Sequence, residues 1–107
     1  NELITHFRQL PGWHPSYRSK SIKGHISDWD VEWFYHLPFP FAYVEWFDIG
    51  LWQAAPSLGV LLPQTYIDHT EEISKVVAQI GFEFEVQADV LRIWGYLPKS
   101  YEDFPPA

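Results

Sequence analysis

Apolar positions recur at helical spacing in two parts of the chain and alternate with polar ones in several others. Leu3, Phe7 and Leu10 fall on one helical face with Ile4 beside them. Pro11-Gly12 ends the run, which predicts a short helix over Glu2–Leu10. Ile73, Val76, Val77 and Ile80 form the stripe of a longer helix over Asp68–Ile80, with Asp68 and Glu71 spaced as a variant capping box and Gly81 as its stop. Phe82–Gln87 alternates strictly: Phe82, Phe84 and Val86 turn inward, and Glu83, Glu85 and Gln87 outward. Val90–Tyr96 follows as a last strand. Val31–Leu37 and Phe41–Ile49 are rich in aromatic and β-branched residues and read as strands, and the polar Ser16–Lys23 reads as a strand near a sheet edge.

Pro38-Phe39-Pro40 cannot continue a ladder, because neither proline has an N–H to donate. A hairpin turning there would place Val31, Trp33, Tyr35, Tyr43, Phe47 and Ile49 on one face and Glu32, Phe34, His36, Val44, Trp46 and Asp48 on the other. Neither set is cleanly polar, so the sheet is expected to be covered on both sides. Gly50–Asp68, broken by Pro56, Gly59 and Pro63, reads equally as a functional or partner-binding loop or as a plain connection, in which Val60-Leu61-Leu62 touches the body. Residues 97–107 read as an irregular, Pro-containing tail. The order is helix, three strands, helix, two strands. It predicts one α+β domain over residues 1–107, with a mostly antiparallel sheet of about five strands and two helices to one side.

Composition narrows the possible functions. Ten of the twenty aromatic residues lie between Trp29 and Trp52, and burying one ring removes roughly 150–250 Å² from water. From Gly24 to Ser74 there are eight carboxylates (Asp28, Asp30, Glu32, Glu45, Asp48, Asp68, Glu71 and Glu72) and no Lys or Arg, which accounts for the whole net charge of −7. Such a surface repels a phosphate backbone and attracts a basic protein, so nucleic acid is not an expected partner. With no Cys there is neither a disulfide nor a thiolate metal site, which fits a cytoplasmic location. No apolar run approaches the ~20 residues of a membrane span, and no leader pattern is visible. Met is absent even at position 1, so the first residue is expected to lie a few positions inside the encoded protein.

Several groupings could carry chemistry. Glu32, Glu45 and Asp48 would lie close together in the proposed hairpin, and two acids in a ring-lined cleft can cleave a glycoside. Solvated strand charges explain them better. The five histidines never fall in a metal-ligand spacing. His36 follows Glu32 by four and could complete a site with Asp28 or Asp30, but a hydrogen-bonded sheet histidine is favoured. No serine sits in a nucleophile elbow, and the isolated glycines build no phosphate loop. No catalytic residue, metal or cofactor is therefore expected. Most of the rings read as core. Phe39, between two prolines, and Trp52, with few apolar neighbours, are expected to be exposed.

The runs Trp29-Asp30-Val31-Glu32-Trp33-Phe34-Tyr35-His36, Tyr43-Val44-Glu45-Trp46-Phe47-Asp48-Ile49 and Leu91-Arg92-Ile93-Trp94-Gly95-Tyr96 carry a resemblance. Together they resemble a small bacterial family known only as a domain of unknown function, marked by Trp-Phe-Tyr-His-like, Ile-Glu-Trp-like and Ile-x-Gly-Tyr-like strands. The resemblance supplies no catalytic residues. It implies proteins similar in size, acidity and compactness to bacterial immunity proteins, which is an analogy of form.

The chain is therefore expected to be a non-catalytic binding module, an immunity or antitoxin-like inhibitor of a basic toxin. Asp28, Asp30, Glu32, Glu45 and Asp48 would steer the partner, and Phe39 and Trp52 would supply buried area. Two alternatives stand beside it. One is a small-ligand or hydrolytic pocket between the sheet and the Gly50–Asp68 segment, using Glu32, Glu45 and His36. The other is a homodimer packed through the aromatic hairpin.

Overall fold

The computed structural model describes residues 2–38, 41–55 and 63–106. Within them the chain runs α1 (Glu2–Arg8), β1 (Tyr17–Ser21), a 3₁₀ turn (Phe41–Tyr43), β2 (Val44–Gly50), β3 (Trp52–Ala54), β4 (Tyr66–Asp68), α2 (Thr70–Ile80), β5 (Phe84–Gln87) and β6 (Val90–Trp94). Four strands form an antiparallel sheet in the order β1-β2-β6-β5, and β3 and β4 pair as a separate two-stranded hairpin. This is an α+β fold, in which four of the five predicted strands form the main sheet and the β3–β4 hairpin is added.

Strand alternation sorts the side chains of the main sheet onto two faces. Tyr17, Ile49, Leu91 and Val86 line one row, and Ser19, Phe47, Ile93 and Phe84 the next. Against this face pack Leu3, Ile4 and Phe7 of α1 and Ile73 and Val77 of α2. The opposite face carries Arg18, Asp48, Arg92 and Glu85 in one row and Lys20, Trp46 and Trp94 beside it. That face is covered by the segment after β6, whose Phe104 packs with Trp46, Val90 and Trp94. The sheet is thus covered on both sides, as its two mixed faces require.

At the start of β2, Lys20 faces Trp46 and Ser21 faces Val44, so Glu45 is the extra residue of a β-bulge. The bulge returns Val44 to the helix-side core and brings Glu45 within 3.4 Å of the Lys20 ammonium. Gly95 lies alongside: its N–H donates to the Glu45 carbonyl at 2.9 Å, and a Cβ there would meet the Val44 carbonyl oxygen at 2.5 Å.

Three expectations are corrected. Val31–Leu37 is not a strand, and no hairpin joins it to β2; it folds as turns. The Asp30 carboxylate accepts from the Glu32 N–H at 2.9 Å, and that of Glu32 accepts from the Phe34 and Tyr35 N–H groups at 2.5 and 3.2 Å. These acids occupy the main-chain donors that a ladder would have used. Trp33 is still buried, held by a 2.8 Å bond from its indole to the Pro15 carbonyl. Second, the capping box does not form. Asp68 accepts from the Thr70 N–H and hydroxyl, and His69 stands at the helix start without a side-chain cap bond. Third, Gly50–Asp68 is not a plain connection, since it contains β3 and β4. The expected touch-down of Val60-Leu61-Leu62 lies outside the described residues.

Candidate functional site

The seven residues expected to meet a partner are dispersed. Asp28 is exposed, and Asp30, Glu32 and Glu45 are half-buried. Asp48 is 0% exposed. Trp52 is 46% exposed, as expected. Phe39 lies outside the described residues.

Asp48 is the main correction among them. Its carboxylate lies between two buried guanidinium groups, with Arg18 Nε at 3.0 Å and Arg92 Nε and Nη2 at 2.6 and 2.9 Å. The same arginines donate onward to the last segment of the chain: Arg18 to the Asp103 carboxylate at 2.9 Å and its carbonyl at 2.8 Å, and Arg92 to the Glu102 carbonyl at 2.7 Å. Arg92 also lies 3.6 Å above the Trp46 ring and 4.6 Å from that of Phe104. A carboxylate so enclosed cannot reach a partner. It pairs with two buried cations, and the onward bonds of those arginines fix the sheet to its covering segment.

Glu32, Glu45 and His36 each engage a separate partner. Glu32 accepts main-chain N–H groups, Glu45 pairs with Lys20, and His36 Nδ1 lies 2.8 Å from Asp30. Hydrogen bonding from the Glu32 N–H, and then from His36, holds the Asp30 carboxyl below its usual range. The Tyr17 hydroxyl donates to the Glu32 carbonyl in the same loop, and burial, followed by the charges of Asp30 and Glu32, pushes that phenol up to about 12. Among the described residues no three His, Asp or Glu side chains group to hold a metal ion. An apolar cavity of about 110 Å³ under α1 is lined by Leu3, Ile4, Trp33, Phe47 and Ile93, with no titratable group.

The β3–β4 hairpin presents a different surface. Trp52 opposes Asp68 and Ala54 opposes Tyr66, so the rings of Trp52 and Tyr66 share one face with centroids 5.8 Å apart. Tyr66 is 55% and Ile67 45% exposed. The base of the hairpin is fixed: Leu51 N–H donates to the Asp89 carbonyl at 2.8 Å, and His69 N–H to the Leu51 carbonyl at 2.9 Å. The His69 ring stacks on Trp13 at 4.2 Å, its Nδ1 pairs with Glu72, and its Nε2 lies 2.9 Å from Gln53 of β3. Asp68, Glu71 and Glu72 are exposed beside it. Tyr66 and Ile67 were missed in the sequence, although an aromatic, β-branched pair between Pro63 and the helix was the available signal.

A model of a family of unknown function, DUF6678, matches residues 1–100. The chain belongs to that family. The match runs from α1 through the sheet and stops within the segment that covers Asp48, so all the family elements of this DUF6678 chain lie in one α+β unit. No curated protein and no solved structure matches the chain. Among the described residues no helix is long and apolar enough to cross a membrane.

Proposed function

We propose that this chain is a non-catalytic, acidic protein-binding module of the cytoplasm, and that it acts as a bacterial immunity or antitoxin-like inhibitor of a basic protein. The observation that carries this reading is the β3–β4 hairpin. It is anchored at its base yet leaves Trp52, Tyr66 and Ile67 exposed beside Asp68, Glu71 and Glu72. Clustered rings with an acidic surround supply both parts of a protein interface: apolar area for residence time, and negative potential for encounter rate. The charge is more one-sided than the sequence total. With Arg18, Arg92 and Asp48 buried, thirteen of the fourteen acids and five of the seven bases remain for the surface, a balance of −8. In this reading Asp28, Asp30, Glu32 and Glu45 steer, and Asp48 serves the fold.

Capture from a host lysate tests it, with the wild type compared against the double variant Trp52→Ala/Tyr66→Ala. A basic protein should be retained at low salt by the wild type, released as salt is raised, and not retained by the variant, and the wild type should inhibit that protein's activity. Retention that is indifferent to salt and to the hairpin substitutions would refute the reading. Light scattering over a range of concentrations separates it from self-association through the same rings.

A further inference from the structure

We propose that the recess between Trp29, Trp52 and Asp89 receives an organic cation, and that its occupant is a lysine or arginine side chain of the partner. This rests on the binding-module reading and sharpens it, because it names the chemical group that the acidic surface takes up. The recess has a volume of about 260 Å³ and lies where the chain leaves β2 for β3, floored by Ser16, Gly50 and Val90. It is far larger than the space one water fills.

Three properties suit it to a cation. First, two tryptophans line it. Trp29 and Trp52 are both substantially exposed, and a ring face attracts a cation through its quadrupole. Second, the Asp89 carboxylate has no hydrogen-bond or ion-pair partner among the described residues, although most acids nearby are engaged: Asp30 by His36, Asp48 by two arginines, and Asp68 by Thr70. Third, the site is preformed. Gly50 N–H donates to the Ser16 carbonyl and Leu51 N–H to that of Asp89, both at 2.8 Å, and Asp30 exchanges two main-chain bonds with Tyr17 at 2.8 and 2.9 Å, fixing Trp29. Gly50 keeps the floor open, since a Cβ there would fall 2.4 Å from Ser16 Oγ. Arg18 stands 5.1 Å from the Trp29 ring, but Asp48 and Asp103 neutralise it, so it does not repel an incoming charge.

The test is an NMR titration of the indole N–H signals, assigned with single Trp→Phe variants, at constant ionic strength. The probes are N-acetyl-lysine amide, N-acetyl-arginine amide, tetramethylammonium, N-acetyl-norleucine amide and glucose. The cations should shift the Trp29 and Trp52 signals with dissociation constants on the order of 10 mM, while norleucine amide and glucose leave them in place. Asp89→Asn should weaken the cations about fivefold and Trp52→Ala about tenfold, with the remaining spectrum unchanged as the control for folding. Equal shifts from norleucine amide or glucose, or no shift from any cation, would overturn the proposal. The two readings can fail separately. If Asp89→Asn captures the basic partner as well as the wild type does, the recess is not its receptor and the module reading stands. If the cations bind but no basic partner is retained, the module reading falls and the recess remains a cation site.

Discussion

Asp48 shows what a single acid does when two cations are buried around it. Arg18 and Arg92 both donate to it, and neither can regain water without dislodging the covering segment. Removing one partner from a buried ion network costs about 3–5 kcal/mol, because the remaining charge stays desolvated. Marginal domains are stable by only about 5–15 kcal/mol. Asp48→Asn is therefore expected to move the urea midpoint down by a large fraction of its value, whereas Asp28→Asn, fully on the surface, should leave it unchanged. An unaltered midpoint in the first variant would show that the guanidinium groups find solvent. Gly95 is the other position with no latitude. A Cβ would press on the Val44 carbonyl, which is main chain and held at the bulge, so Gly95→Ala should lower stability by about 1–3 kcal/mol in the same assay.

The hydrogen bonds of Asp68 lie at the junction of β4 and α2, where one of them holds a main-chain donor that a helix leaves open and the other the Thr70 hydroxyl. The Thr70 hydroxyl, then its N–H, keep the Asp68 carboxyl below its usual range. A carboxyl depressed in the folded state adds stability above its unfolded pKa, and that stability is lost as pH falls through the folded value. The thermal midpoint of Asp68→Ala should therefore lie below that of the wild type at neutral pH, with the gap narrowing as pH drops below about 4. A gap constant down to strong acid would remove the charge from the account. Among the elements, α1, α2 and β5 were legible in their periodicity, and β1, β2 and β6 in their residue types. β3 and β4 were not, since strands of three residues carry no period. Val31–Leu37 was misread because composition does not reveal that Asp30 and Glu32 bond to their own main chain. The network around Asp48 was invisible for another reason: Arg18 and Arg92 stand 30 and 44 positions from Asp48, and only the sheet register brings the three together.

Charge distribution over the whole molecule makes opposite demands on folding and on binding. The surface balance of −8 is spread over a body of 44 × 30 × 25 Å. At 0.01 M salt the screening length is about 30 Å, so charges across the molecule repel one another. At 0.15 M it is about 8 Å, and only neighbours interact. The exposed pairs Lys20–Glu102 and Lys99–Glu83 lose a little attraction on screening, but surface pairs contribute at most about 1 kcal/mol each. The buried Arg18–Asp48–Arg92 group is barely screened at all. Repulsion among the unpaired acids is therefore the larger effect, and the thermal midpoint should rise between 0.01 and about 0.15 M sodium chloride. If the chain binds a basic partner through the hairpin as proposed, then over the same interval the association rate should fall steeply while the dissociation rate changes little. Calorimetry and stopped-flow fluorescence at matched salt concentrations check the pair of trends. A midpoint that falls with salt would mean that exposed ion pairs, rather than excess negative charge, dominate the electrostatics. An association rate indifferent to salt would leave the acids no part in finding the partner.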